Sequence, residues 1–189
     1  MRPWKIPNTC KKYSRSGKAA AVSKWGSAMY SRQYDSPVGK LLLTCNDQGL
    51  TGIYMDRVRP QQSEHPILQK TAAWLDAYFR GEAPMAEIPL AAEGTAFQKQ
   101  VWKLLSGIPY GECRSYGELA RDMAAALGKE NMSAQAVGQA VGQNPISILI
   151  PCHRVIGSRG QITGYAGGLE RKIWLLRHEG RQIEKHIVL

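Results

Sequence analysis

The chain has 189 residues, 43% of them hydrophobic and 21% charged, which is enough for one or two compact domains with an apolar core and no need of crosslinks. No apolar run approaches the roughly 18 residues of a membrane span, and the first residues lack the apolar centre of a secretory signal, so a soluble cytoplasmic protein is expected rather than a membrane or secreted one. The four cysteines, Cys10, Cys45, Cys113 and Cys152, form no C-x-x-C pair and no regular spacing, which argues against a disulfide framework or a zinc ribbon.

The net charge of +10 is unevenly spread. Residues 1–34 hold eight basic side chains and no acid, so by difference the remaining 155 residues carry 17 basic and 15 acidic groups. Residues 1–28 are read as a flexible basic extension, with an electrostatic tether for a polyanion as the sharper alternative. Organised sequence starts near Met29. MYSRQYDSPVGKLLLTCNDQGLTGIYM reads as two or three strands joined by turns at Ser36–Gly39 and Asn46–Gly49, a small antiparallel sheet. In HPILQKTAAWLDAYFRGE, Leu68, Ala72, Leu75 and Phe79 recur at helical spacing until Gly81, and this helix covers the sheet. Residues 83–94, with Pro84 and Pro89, read as a linker.

The second half opens on a capping box, Thr95 with Gln98, and a helix bearing Phe97, Val101, Leu104 and Leu105. Ser115 and Glu118 form another capping box, starting a helix with Leu119, Met123 and Leu127. A third helix from Ser133 to Gln143 stops before Pro145. The last two make a helix-turn-helix candidate that also fits any helical hairpin. On the third helix Val137, Ala140 and Val141 face the core, while Gln135, Gly138, Gln139 and Gly142 form a smooth uncharged outer face. Two interior glycines cost about 1 kcal/mol each relative to alanine. Close helix packing or close approach of a nucleic-acid groove would each account for them. ISILIPCHRVIG then reads as a buried strand ending at the cysteine, SRGQITGYAGG as a glycine-rich hairpin or wing, and LERKIWLLRHEG as a helix with Leu169, Ile173 and Leu176 on one stripe.

Cys152 and His153 sit side by side at the end of that apolar run. Adjacent residues lack the spacing of a metal-ligand pair, so no metal is expected. A buried structural cysteine is the plain reading. Placement at a strand end beside a base is instead where a low-pKa thiolate nucleophile is expected.

From Asn144 to Gly180, NPISILIPCHRVIGSRGQITGYAGGLERKIWLLRHEG closely resembles the active-site half of the O6-alkylguanine-DNA alkyltransferases, also called methylated-DNA-protein-cysteine methyltransferases. The P-C-H-R-V motif with G-Y-A-G-G and H-E-G downstream is specific to that family. The similarity extends through GTAFQKQVWKLLSGIPYGECRSYGELA and, more loosely, back to Met29.

The resemblance implies an α/β N-terminal domain (29–90, a small antiparallel sheet plus a helix), a mostly α winged helix-turn-helix domain (91–180) and a tail (181–189). It implies Cys152 as the alkyl acceptor, His153 as its base through a water, and Glu179 as the acid orienting His153. Tyr116 would rotate the target nucleotide and protonate the leaving guanine, and Asn144 would be the hinge between recognition helix and active-site strand. Val155, Tyr165, Ala166 and Gly167 would form the base pocket. Contacts to DNA would come from Tyr116, Ser133, Ala134, Gln135, Ala136, Gly138, Gln139 and Arg154. The implied partner is double-stranded DNA containing O6-alkylguanine, with O4-alkylthymine as a further candidate lesion, met by a monomer with no cofactor. Attack at a saturated carbon needs an in-line thiolate and a neutralised leaving oxygen, and the target base must leave the stack. The resulting thioether cannot be hydrolysed, so one reaction per molecule is expected.

One position departs from the family. Gln135 stands where many members place an arginine that fills the gap left by the flipped base. Three competing functions stay open: a lesion sensor of the same fold, which characteristically lacks the cysteine; a winged-helix regulator sensing electrophiles through Cys152; and a cysteine hydrolase, which would turn over.

Overall fold

The structure, a computed structural model, describes residues 29–58, 62–84 and 87–188; the basic segment 1–28 lies outside the described residues. Turn chemistry and β-rich runs build an antiparallel meander of β1 (Tyr30–Ser36), β2 (Gly39–Cys45) and β3 (Leu50–Met55), with β2 central. Helix α1 (Pro66–Phe79) starts with proline in its first turn, and His65 caps it by accepting the Ile67 amide. It lays Ile67, Leu68, Ala72, Leu75 and Tyr78 on the core, with Leu68, Leu75 and Tyr78 wholly buried. Each fully buried apolar side chain of this kind contributes roughly 1.5–3 kcal/mol. Phe79, expected on that stripe, is only half-buried, and Tyr78 takes the inward position.

The free edge of β3 is covered by two returning segments, which blunts an otherwise pairing-competent edge. The Leu50 amide donates to Pro89 O (2.7 Å) and the Ala91 amide to Leu50 O (2.8 Å), so residues 89–91 of the expected linker pair with the sheet edge. Further along, the Ile53 amide donates to Pro145 O (2.9 Å) and the Ser147 amide to Ile53 O (3.3 Å). The second half is thereby registered on the first.

That half contains α2 (Ala96–Ser106), a two-residue β4 (Arg114–Ser115), α3 (Tyr116–Ala126) and α4 (Ala134–Gly142). Both expected capping boxes form, and Ser133 caps α4. Trp102 ties α2 to α4 by donating Nε1–H to Ala140 O at 2.9 Å. Leu127 is exposed because α3 ends one residue before it.

Three further expectations fail. The apolar run after Asn144 is no strand. It folds back on itself, with the Ile150 amide on Ile146 O and Ile148 at a φ of 71°, and Cys152–Arg154 forms a single 3-10 turn. Only β5 (Val155–Ile156) follows, parallel to β4. An unbroken apolar run signals burial on all sides, which a compact turn satisfies as well as a strand does.

The glycine-rich wing makes no hairpin of its own. Its Gln161 pairs instead with the segment expected as a tail, which forms β6 (Ile183–Glu184) and β7 (Ile187–Val188). Finally, on α5 (Leu169–His178) Leu169 is exposed and Ile173 half-buried; the inward face is Arg171, Lys172, Leu175 and Leu176. The fold is an α/β N-terminal layer followed by a mostly helical, helix-turn-helix half.

Candidate active site

Asn144, directly after α4, shapes the turn that delivers Cys152. Its Nδ2 donates to Ile146 O (3.3 Å) and Ile150 O (2.8 Å), and its Oδ1 accepts the Ile146 amide (3.0 Å). It therefore acts as the brace of a turn rather than the hinge to a strand. Cys152 is 8% exposed and opens on a cavity of about 210 Å³. The walls are Tyr116 of α3, Gly138, Val141 and Gly142 of α4, Asn144 and Ser147, and the Gly164–Ala166 loop.

The two glycines of α4 now have an explanation. A methyl group at Gly138 would meet the Tyr116 ring at an ordinary 3.5 Å, and one at Gly142 would meet nothing within 4 Å. Internal packing requires neither, yet both line the cavity. Ser133, Ala134, Gln135 and Gln139 are exposed on the outer face of α4, and Ala136 is partly so.

Behind Cys152 lies a buried polar cluster centred on Glu179. Glu179 Oε1 accepts from His153 Nε2 (2.7 Å), Tyr78 Oη (2.7 Å) and Arg154 Nη2 (3.0 Å). Its Oε2 accepts from Arg154 Nε (2.8 Å) and the Gly111 amide (3.2 Å). Burial alone would raise the carboxyl; the hydrogen bonds and charge of His153 and Arg154 overcome it and hold Glu179 well below the usual carboxylate range. An ionised Glu179 can only accept, so His153 Nε2 carries the proton. Burial pushes the His153 pKa down, against the opposing pull of Glu179, so the imidazole is neutral near pH 7 and Nδ1 is a bare lone pair. That Nδ1 is buried with no hydrogen-bond partner among the described residues.

The thiol differs from the sequence expectation. Burial pushes the Cys152 thiol up from its ordinary value, with the Asn144 amide and the Lys172 charge opposing. The resting pair is a neutral thiol and a neutral histidine rather than a thiolate.

Arg154, expected on DNA, points inward instead: it is 8% exposed, forks onto Glu179, and donates to Ile108 O. Moving it to a phosphate would take from buried Glu179 its permanent counter-charge, at a cost of about 3–5 kcal/mol. Val155 and Gly167, expected in the base pocket, do not line it. Val155 is wholly buried and offers its carbonyl to Lys172, and Gly167 packs against Met55.

Sequence reasoning missed Lys172 and Tyr78. Lys172 is wholly buried, and its Nζ donates to Val155 O, Thr163 O (2.6 Å) and Gly164 O (3.2 Å), which uses its three donors. Burial lowers its pKa to about 8, while Cys152 and Cys113 oppose the shift. The signal was present in the helix period, which places residue 172 on the same face as Leu175 and Leu176. Among the described residues no group of three or more His, Cys, Asp or Glu is placed to hold a metal ion, and no helix is long and apolar enough to cross a membrane.

Fold and site together define a protein that presents a cysteine nucleophile, backed by a histidine and a carboxylate, beside the second helix of a helix-turn-helix. Residues 29–92 match the family model of the 6-O-methylguanine DNA methyltransferase ribonuclease-like domain, and residues 96–181 that of the 6-O-methylguanine DNA methyltransferase DNA binding domain. The chain belongs to the 6-O-methylguanine DNA methyltransferase family.

Among its relatives is a methylated-DNA–protein-cysteine methyltransferase of Methanosarcina acetivorans, 41% identical over 161 residues that cover 80% of this chain and 99% of that one. A protein of the same name from Haemophilus influenzae is 42% identical, covering 81% and 87%. Similar solved structures include the Mycobacterium tuberculosis O6-methylguanine methyltransferase (42% identity, TM-score 0.69, 80% of this chain and 92% of that chain). The M. tuberculosis OGT in complex with DNA is also similar (44% identity, TM-score 0.70, 79% and 92%).

Proposed function

We propose that this protein repairs O6-alkylguanine in double-stranded DNA by moving the alkyl group irreversibly onto Cys152. The observation that carries the reading is the Cys152 cavity, walled by α3 and α4 on one side and backed by the His153–Glu179 pair on the other. The outer face of α4, with Ser133, Ala134, Gln135, Ala136 and Gln139, lies against the DNA, and the absence of side chains at Gly138 and Gly142 admits the extruded nucleotide. Extrusion costs a few kcal/mol of stacking and pairing.

The Cys152 thiol gives its proton, relayed by a water, to His153 Nδ1. The imidazolium so formed is stabilised by ionised Glu179, which keeps its own charge. The sulfur lone pair attacks the alkyl carbon in line, the carbon–O6 bond breaks, and its electron pair goes to the guanine oxygen. Tyr116 lines the cavity and is kept protonated by burial, with the Thr163 side chain opposing and Cys152 adding in the same direction, so its hydroxyl is available to protonate or hydrogen-bond the leaving base. Tyr165 and Ala166 form the wall against which the base rests. Neutral partners at rest suit a single-use nucleophile.

The product is a thioether that no residue here can cleave, so the protein acts once. It works as a monomer without a cofactor, in the cytoplasm on chromosomal DNA, with residues 29–90 as scaffold and 91–180 as the transfer domain. Incubation with duplex DNA containing O6-methylguanine, followed by peptide mass spectrometry, should find one methylation per molecule, on the Cys152 peptide. Repeated turnover, or methylation at Cys45 or Cys113 instead, refutes it.

A further inference from the structure

The segment Thr163–Gly168 has no regular structure, yet it presents Gly164, Tyr165 and Ala166 to the Cys152 cavity. Two adjacent cations on the first turns of α5 hold its ends. Lys172 binds the Thr163 and Gly164 carbonyls, and Arg171 binds the Gly167 carbonyl (Nη1 to O, 3.0 Å). Arg171 is 9% exposed, and its other three hydrogen bonds go to residues beside the strands of the N-terminal sheet. Nε donates to Val38 O (2.7 Å), Nη1 to Asp56 Oδ2 (2.7 Å) and Nη2 to Asp56 Oδ1 (2.7 Å).

Asp56 follows β3 at a φ of 55°, a left-handed conformation that aspartate tolerates better than most residues, and its amide is tied to Lys40 O at 3.1 Å. Next to it, Met55 stands where any side chain at Gly167 would have to go. The sheet therefore touches the pocket loop at two points, one ionic and one steric.

We propose that Arg171, oriented by Asp56, is a positioning residue for the base pocket: the fork sets where Tyr165 and Ala166 stand relative to Cys152, so the N-terminal sheet tunes substrate affinity without touching substrate. The inference rests on the alkyl-transfer reading above for what the pocket binds. A bidentate guanidinium–carboxylate pair is the geometry that fixes direction as well as distance. Removing its charge leaves residue 56 one neutral acceptor oxygen and a donor facing the other guanidinium nitrogen, which breaks the fork and frees the loop to shift.

The test is Asp56→Asn, a residue that also accepts the left-handed backbone, assayed with free O6-benzylguanine in single-turnover reactions over a range of concentrations. The half-saturating concentration should rise on the order of tenfold. The limiting rate and the reactivity of Cys152 toward iodoacetamide should stay within about twofold, because the thiol and its histidine keep their contacts. Arg171→Lys keeps the charge but not the fork, and should behave in the same way.

An unchanged half-saturation, or a limiting rate that falls together with iodoacetamide reactivity, overturns the proposal. Amide hydrogen exchange gives a readout independent of transfer. Protection of residues 165–168 should drop in Asp56→Asn while α2 and α3 keep theirs, and equal protection overturns the proposal. A wild-type protein that leaves O6-benzylguanine untouched would instead strike at the alkyl-transfer reading, with the exchange experiment still deciding this one.

Discussion

Glu179→Gln is the substitution that tests the core of the site. Glu179 accepts five hydrogen bonds, from Tyr78, His153, Gly111 and twice from Arg154. An amide keeps one acceptor oxygen and turns a donor toward whichever partners face the other. If the nitrogen takes the Oε2 position, it confronts Arg154 Nε and the Gly111 amide, both donors; if it takes Oε1, it confronts His153 Nε2 and Tyr78. Either way Arg154 stays buried with its counter-charge gone, and breaking such a pair costs about 3–5 kcal/mol of stability.

The rate should suffer separately. Without the carboxylate the imidazolium formed by proton transfer loses its stabilising charge. Removing the charge of a carboxylate that orients a catalytic histidine costs up to about 10⁴ in rate in the serine-protease triad. A loss of about 10²–10⁴ is expected here, equivalent to roughly 2.7–5.4 kcal/mol of barrier. The assay is single-turnover transfer of labelled methyl from duplex DNA, run beside equilibrium DNA binding and thermal unfolding. Binding should hold, because Glu179 is 5% exposed and lies behind the thiol. A transfer rate within about threefold of wild type, with binding and folding intact, would refute the reasoning and reduce Glu179 to a structural residue.

Gly142→Ala should stabilise the fold slightly, by up to about 1 kcal/mol of helix propensity since its methyl group meets nothing, yet slow transfer from duplex DNA; unfolding and single-turnover assays together check this. Lower stability, or undiminished transfer, contradicts the account of the α4 glycines. Stability should fall as pH is lowered, because His153 and Glu179 both bind protons less readily folded than unfolded. The loss should begin below about 6.5 for His153 and below about 4.5 for Glu179, and the second decline should be smaller in the Glu179→Gln protein in a pH series of unfolding temperatures. Gln135→Arg should tighten duplex binding and speed transfer from duplex while leaving the reaction with free O6-benzylguanine unchanged, since only the duplex has a gap to fill. Deleting residues 1–28 should leave the transfer rate intact and flatten the log–log salt dependence of DNA binding by about 0.9 for each phosphate that the arm neutralises; an identical slope rules out a tether.

The elements that are legible in the sequence are those with local causes. Strand, turn and capping signals lie within a few residues of one another, so β1–β3, α2 and α3 form where their residues predict. Family motifs also bring Cys152, His153 and Glu179 to notice together. The misreadings involve residues whose roles depend on distant partners. Arg154 reads as a surface cation until Glu179 is placed beside it, 25 positions later in the chain. Hydropathy assigns the stripe on α5 to its aliphatic residues, whereas the face that turns inward carries Arg171 and Lys172, because what it meets is a row of loop carbonyls. The apolar run before Cys152 reads as a strand because periodicity reports burial and not direction. Tyr78 gives no signal at all, since its polar partner lies 101 residues away.

Tyr78 also constrains how such proteins can be recombined. The two family domains look exchangeable by sequence boundary, but the hydroxyl on α1 of one completes the carboxylate cluster of the other at 2.7 Å, in a site where Trp74 stacks on Tyr78 and Trp174 stacks on His178. A chimera that joins this second half to a foreign first half lacking the tyrosine inherits an acceptor whose donor stayed behind with the discarded parent, while every motif around the cysteine still reads as complete. In this chain, the join between the halves therefore includes a tyrosine outside the motifs.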